Sequence, residues 1–278
     1  MIAAALLIAA QSAPVFAPPL DQPLTITTET VRTEAANTRH FVARRTVRFT
    51  AAHDGYRVAV TLDEAAPGEE ASDPAGLLRA GFARLAGRTV VLKLDHAGAV
   101  VGIEDLPATW RAVTAGMAAL APTGTDPATR QRAARVRAIV AALAAQPEAA
   151  QHRMIGSLVT PLIAPELVVE AATPSPPRVV RVPAMSVYGR AELEALRSIR
   201  SRPDGIEVSV SAAGPVAVAT PEGEASATVT LDTLRRIDPA TGLVVESRER
   251  IETLAPDGSV QSERLTVTRL KPARDATE

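Results

Sequence analysis

The sequence predicts an α+β fold: one large curved antiparallel β-sheet of about ten strands wrapped around two to four helices inserted mid-chain. Three observations carry this expectation. Long stretches on both sides of the chain alternate apolar and polar residues with period two, as strands with one dry and one wet face do. Turn-forming residues such as Asp-Gly and Pro-Asp-Gly separate those stretches at hairpin spacing. The central block, Asp105 to Leu167, switches to helical spacing.

The elements follow in order. Residues 13–23 read as a Pro-rich spacer. Leu24 to Glu34, rich in Thr, Ile and Val, reads as the first strand of a single β-rich domain over 24–271. Arg39 to Thr50 alternates, with Phe41, Ala43, Val47 and Phe49 on one side and His40, Arg44, Thr46 and Arg48 on the other. His53-Asp54-Gly55 then turns the chain into a strand carrying Tyr56, Val58, Val60 and Leu62. Glu64 to Asp73 is acidic and loop-like, and Asp73-Pro74 opens a short helix with Leu77, Leu78, Phe82 and Leu85 as its stripe. Arg88 to Leu94 and Ala99 to Glu104 flank Asp95-His96-Ala97-Gly98 as a second hairpin.

The helical insert, residues 105–167, contains three segments. Trp110, Val113, Met117 and Leu120 share a face of the first, which ends near Pro122. Asp126-Pro127 starts the second, with Val136, Ile139, Val140 and Leu143 on one side and Arg130, Arg132, Arg135 and Arg137 on another. The third carries Met154, Ile155, Leu158, Val159 and Leu162, apolar almost all round, and is expected to stop before Pro165. A stiff connector, residues 172–178 with Pro174, Pro176 and Pro177, leads back to strands. These are Glu192 to Arg200, the stretch from Ile206, Glu224 to Ile237, Leu243 to Leu254 and Ser259 to Leu270, with a frayed tail over 272–278.

Strands that are dry on one face need a cover, and the helical insert is the cover at hand. The polar side, with Glu246, Arg248, Arg250 and Glu252, would then face water. This order of hairpin strands and inserted helices resembles the periplasmic lipoprotein-carrier (LolA-like) half-barrel superfamily over most of residues 24–270. The resemblance implies an apolar pocket between sheet and helices. It carries over no functional residue, and the absence of Cys separates this chain from lipid-anchored members.

Composition narrows the function classes. The 278 residues carry 30 basic and 31 acidic side chains, a net charge of -1, which argues against a nucleic-acid-binding module. With no Cys, disulfides, thiol nucleophiles and thiolate metal sites are excluded. Aromatics make up 3%, which disfavours a stacking platform for sugars. Met1 to Ala10 is an uncharged apolar run followed by small residues, as in a secretory signal peptide cut after Ser12. Residues 1–12 are therefore expected to direct the chain to the periplasm or outside the cell. The run is about half of the roughly 20 residues a spanning helix needs, so no transmembrane span is expected in the mature protein.

The search for chemistry assigns no catalytic, cofactor-binding or metal-ligating residue and leaves the ligand-lining residues unknown. His53 and His96 sit beside Asp54 and Asp95 in turns, where a metal pair or an acid–base couple competes with plain turn geometry; the spacing favours the turns. His40 and His152 have no ligand spacing. Ser157 lies in an apolar pattern, and Asp238 to Gly242 lacks the oxygen ligands of a calcium loop. The paired carboxylates Asp63-Glu64, Glu69-Glu70 and Glu104-Asp105 read as solvated charge. The arginine flank from Arg130 to Arg137, with Arg153, is read as solvated, an anion-binding face being the alternative. The expectation is an exported non-enzymatic binding or carrier protein for a hydrophobic ligand or lipidated partner, with no cofactor. The alternatives are a structural or envelope-associated interaction protein with a solid core and, behind it, a hydrolase.

Overall fold

A computed structural model describes residues 16–34, 37–65, 81–173, 175–220 and 223–273. It contains a single antiparallel sheet of eleven strands, open at both edges. In chain order these are β1 (Pro23–Glu34), β2 (Asn37–Ala52), β3 (Gly55–Ala65), β4 (Thr89–Leu94) and β5 (Val100–Ile103), then β6 (Arg178–Ser186), β7 (Gly189–Arg202), β8 (Gly205–Thr220), β9 (Gly223–Asp238), β10 (Leu243–Leu254) and β11 (Val260–Pro272). Between β5 and β6 lie α1 (Leu106–Ala118), α2 (Pro127–Ala144), α3 (Glu148–Gly156), a 3₁₀ turn (Thr160–Leu162) and α4 (Pro165–Ala171).

The spatial order β5-β4-β3-β2-β1-β11-β10-β9-β8-β7-β6 is a meander whose first and last strands pair in its middle. Leu24 lies opposite Pro272 and Glu34 opposite Ser262. The edges, β5 and β6, are therefore the two strands flanking the helical insert, which has to run from one edge to the other. Hairpin turns fix the register. At Gly55 (φ 137°) a Cβ would stand 2.2 Å from the Leu94 carbonyl oxygen, so only glycine closes that turn without displacing β4.

Two large cores share the inner face. In the first, Ile26, Val47, Phe49, Val58, Val60, Leu92 and Leu94 of β1–β4 pack with Trp110, Val113 and Met117 of α1, and with Ile155, Leu158, Val159 and Leu162. In the second, strands pack on strands: Ala184, Ala191, Leu193, Ala195, Ala212, Val216, Ala227, Val229, Leu231 and Ile251. Five of these ten are alanine, and the small side chains let β6 come back into contact with β9 and β10. A Cβ on Gly214 would lie 2.8 Å from Leu193 Cδ2, so this roll is already tight. A smaller core sets Ala164 and Leu167 on Ile206, Val208, Ile237 and Val244.

Several sequence expectations change. The described residues hold eleven strands, and the one not foreseen is β6. Pro183 interrupts its pattern, and proline is confined to edge strands or bulges; β6 is an edge strand. The third helix is two pieces, because Pro161 has no N–H and its ring clashes with an α-helical turn before it. The chain leaves α3 at Gly156, and Thr160 Oγ1 donates to the Gly156 carbonyl at 2.9 Å. Pro165 begins α4 rather than ending a helix, since proline suits a first helical turn. Helix thus extends four residues past 167, and Arg178 of the connector already belongs to β6.

The spacer is not merely a spacer. Phe16 is 3% exposed and stacks edge-on with Phe49 and Tyr56, whose hydroxyl donates to the Phe16 carbonyl at 2.8 Å. Leu20 bridges to Phe49. Toward the other terminus Pro272 is in β11 and the Ala273 N–H donates to the Pro23 carbonyl, so residues 272 and 273 are held by the sheet rather than lying in a frayed tail. Glu64 belongs to β3 rather than to a loop. The proposed signal peptide, Glu69-Glu70 and the Asp73-Pro74 helix start lie outside the described residues. Leu85 from that helix's stripe is buried in the first core.

Candidate functional site

Between the two cores, the inner face of the sheet changes character. Register places two rows across it. One runs Ala43, Thr28, Thr268, Ser247, Arg235, and the next Phe41, Thr30, Thr266, Glu249, Thr233. These belong to the same alternating phase as Ile26 and Val47 on one side and Leu231 and Val229 on the other, so they point inward. The hydroxyls of Thr28 and Thr268 are hydrogen-bonded at 3.1 Å and those of Thr30 and Thr266 at 3.4 Å. Arg264 Nη2 donates to Glu249 Oε1 at 3.0 Å at the border with the second core. The threonines, Ser247 and Glu249 are all half-buried.

Arg45 stands at the border with the first core. It is paired with Ile26 on β1 and Leu62 on β3, in the inward phase of β2 between Ala43 and Val47. Its Nε is buried without a hydrogen-bond partner, while the residue as a whole is only half-buried, so the rest of the side chain reaches the surface. Burial holds its pKa below the ordinary arginine value. Charge stays on the group nonetheless, since arginine does not deprotonate in proteins. Trp110 Nε1 and Thr253 Oγ1 are also buried without partners, each deep inside a core.

The outer face holds a different feature. A shallow groove of about 430 Å³ runs over β6–β9, lined by Val179, Glu194, Leu196, Ser211, Thr230 and Asp232 among others. Ser211 Oγ donates to Asp232 Oδ1 at 2.6 Å. Elsewhere this face is laced with ion pairs: Arg250 bonds Glu252 and Glu263, and Glu246 faces Arg236 and Arg269. That is the wet side assigned to Glu246, Arg250 and Glu252 from alternation.

The residues weighed from sequence do not converge. His53 is fully exposed, 3.8 Å from Asp54, while His96 lies edge-on to Tyr56. His40 is exposed and His152 half-buried. Among the described residues no group of three or more His, Cys, Asp or Glu could hold a metal ion. Ser157 Oγ donates to the Met154 carbonyl at a helix end. Asp238 accepts from the Ala240 N–H and the Thr241 hydroxyl, which makes its loop a side-chain-capped turn. Glu104 pairs with Arg57, Thr46 donates to Asp63, and Asp105 precedes α1 with φ 48°. Arg130, Arg132, Arg135, Arg137 and Arg153 are all exposed.

Sequence reasoning passed over Arg45. The signal was present: between Phe41 and Phe49, which with Ala43 and Val47 mark the inward phase, position 45 is the one charged residue in step with them. No family model matches the chain, and no curated protein matches it. No helix among the described residues is long and apolar enough to cross a membrane.

Proposed function

We propose that this is an exported, non-enzymatic binding or carrier protein that holds a ligand with an apolar part on the inner face of its sheet. The observation that carries this reading is the half-buried strip between the two cores, where Phe41 and the threonine rows stand inward without belonging to either core. A few polar groups set among apolar ones is the usual lining of a small-molecule site, and the strip offers that mix. Helices inserted between the two edge strands support the half-barrel carrier likeness, and the Met1–Ala10 apolar run supports export to the periplasm or beyond. A lipidated partner would engage the strip through its acyl chain.

A second reading has its own observation. The interval between α1 and β1–β4 is occupied by Trp110, Val113, Met117, Phe49 and Val60, each at most 4% exposed, as in an interaction protein with a solid core. Gentle purification followed by organic extraction and lipid mass spectrometry separates the two. Acyl-chain molecules recovered reproducibly and near stoichiometrically are expected for the carrier. An empty protein supports the solid-core reading and sinks the carrier.

A further inference from the structure

Arg45 is a charge placed where a folding chain gains nothing from one. It occupies an inward position next to Ile26 and Leu62, its Nε makes no hydrogen bond, and it has no ion pair among the described residues. Elsewhere the chain pairs its arginines readily: Arg57 with Glu104, Arg197 with Glu170, Arg250 with Glu252 and Glu263, and Arg264 with Glu249. A guanidinium with its Nε desolvated and no counter-charge beside it adds little to folding, and an apolar side chain of similar size would serve the neighbouring core better. A ligand that brings the missing negative charge would recover that cost on binding, and the planar guanidinium suits a carboxylate or phosphate.

The surroundings add the rest of the ligand. Following β2 inward from Arg45, the next residues of the same phase are Ala43 and Phe41. Ala43 is exposed and small, leaving an open floor, and Phe41 is half-buried outside both large cores. From Arg45 to Phe41 the strand covers about 13 Å, four residues at about 3.3 Å each. Thr28 stands beside Ala43 and Thr268 beside Thr28, with hydroxyls that can turn toward an anion. We propose that the inner face binds a monoacyl amphiphile with an acidic head group, the head on Arg45 and the Thr28–Thr268 hydroxyls and the chain over Ala43 toward Phe41.

This deepens the binding-protein reading and rests on it. The test is equilibrium binding of three probes to the purified full chain: dodecanoate, dodecyl phosphate and the uncharged dodecyl maltoside, all below their micelle concentrations. Tighter binding of one or both acids than of the maltoside, by tenfold or more, is expected, and the two acids tell carboxylate from phosphate. Arg45→Met should lose that preference and melt higher than the parent, because the uncompensated charge is gone. Arg45→Lys should keep much of it. Equal binding of all three probes would leave a ligand site standing and overturn the role of Arg45. No binding of any probe would overturn both. A preference that survives in Arg45→Met places the anion elsewhere and also defeats the assignment.

Discussion

One sheet hides its dry face in two ways. Along β1–β4 the buried inward residues are Ile, Val, Leu and Phe, and they are covered by helices bearing Trp110, Val113 and Met117. In the second core, built on β6–β10, half of the buried residues are alanine, and the strands cover one another by rolling β6 toward β10. The difference is one of side-chain volume. Sheets pack about 10 Å from whatever covers them when the side chains are large; alanine shortens that distance, so one strand of the sheet can come to rest over others. Between the two solutions the inner face belongs to neither, and there the chain places threonines, Ser247, Glu249 and Arg45.

The largest break in this comparison comes from the helix-covered side. Trp110→Ala removes the biggest side chain joining α1 to the sheet, and should cost about 3–5 kcal/mol by the lost burial and the cavity left behind. Chemical denaturation measures it. Hydrogen exchange should show β2–β4 and α1 loosening well before β7–β9; equal loosening throughout would mean the two cores melt as one unit. The alanine side should respond in the opposite sense, to added volume. Ala184→Leu places three extra carbons at a position 1% exposed and should cost about 1–3 kcal/mol as overpacking. Its mark would be faster exchange in β6, pushed off β9 and β10. An Ala184→Leu protein as stable as the parent would show that the roll holds empty space.

Much of this contrast was legible in the sequence and some was not. Period-two alternation exposes its phase directly, so strands such as Val58-Val60-Leu62 could be placed with their dry side known. The helix starts at Asp126-Pro127 and the turns at Asp-Gly were readable because a capping carboxylate and a positive φ each demand particular residues. What escaped was non-local. Nothing near Phe16 says that a proline-flanked aromatic returns to stack on Phe49 and Tyr56. Nor does local pattern show that β1 pairs with β11, or that alanines far apart in the chain share one core. The candidate site shared this fate: Arg45 breaks the apolar phase of its strand, but its missing counter-charge is visible only once every neighbour is in place.

A smaller effect concerns the seam between helix and rolled strands. Glu170 of α4 accepts from Arg197 of β7 at 2.6 Å and from Arg178 of β6, tying the last helix to the alanine-rich edge. The carboxylate is 26% exposed and Arg197 17%. Glu170→Gln should therefore cost only about 1 kcal/mol, since water already screens part of the pair. Salt should weaken the parent toward the variant in denaturation curves. No change at low salt would mean that α4 is held by Leu167 and its apolar neighbours alone.

The smallest expected effect separates the two regions by pH. Asp126 caps α2 on the helical side, and the Thr129 side chain and N–H, the latter at 2.9 Å, hold its carboxyl below the usual range. Asp257 turns β10 into β11, and the Ser259 N–H, joined by the Ser259 hydroxyl, does the same there. Both carboxyls take up a proton more readily in the unfolded chain. Their stabilisation is thus complete above the unfolded value near pH 4 and is lost as pH falls through the lower folded values. Hydrogen exchange between pH 5 and 3, corrected for intrinsic rates, should show the first turn of α2 and the β10–β11 turn opening on acidification. Asp126→Asn keeps an accepting oxygen but cannot titrate, so it should flatten the response in α2 and leave the β10–β11 turn unchanged; Asp257→Asn should do the reverse. A single variant that flattens both would show that α2 and the β10–β11 turn are coupled, and that the helix-covered part of the molecule and the middle of the sheet respond as one.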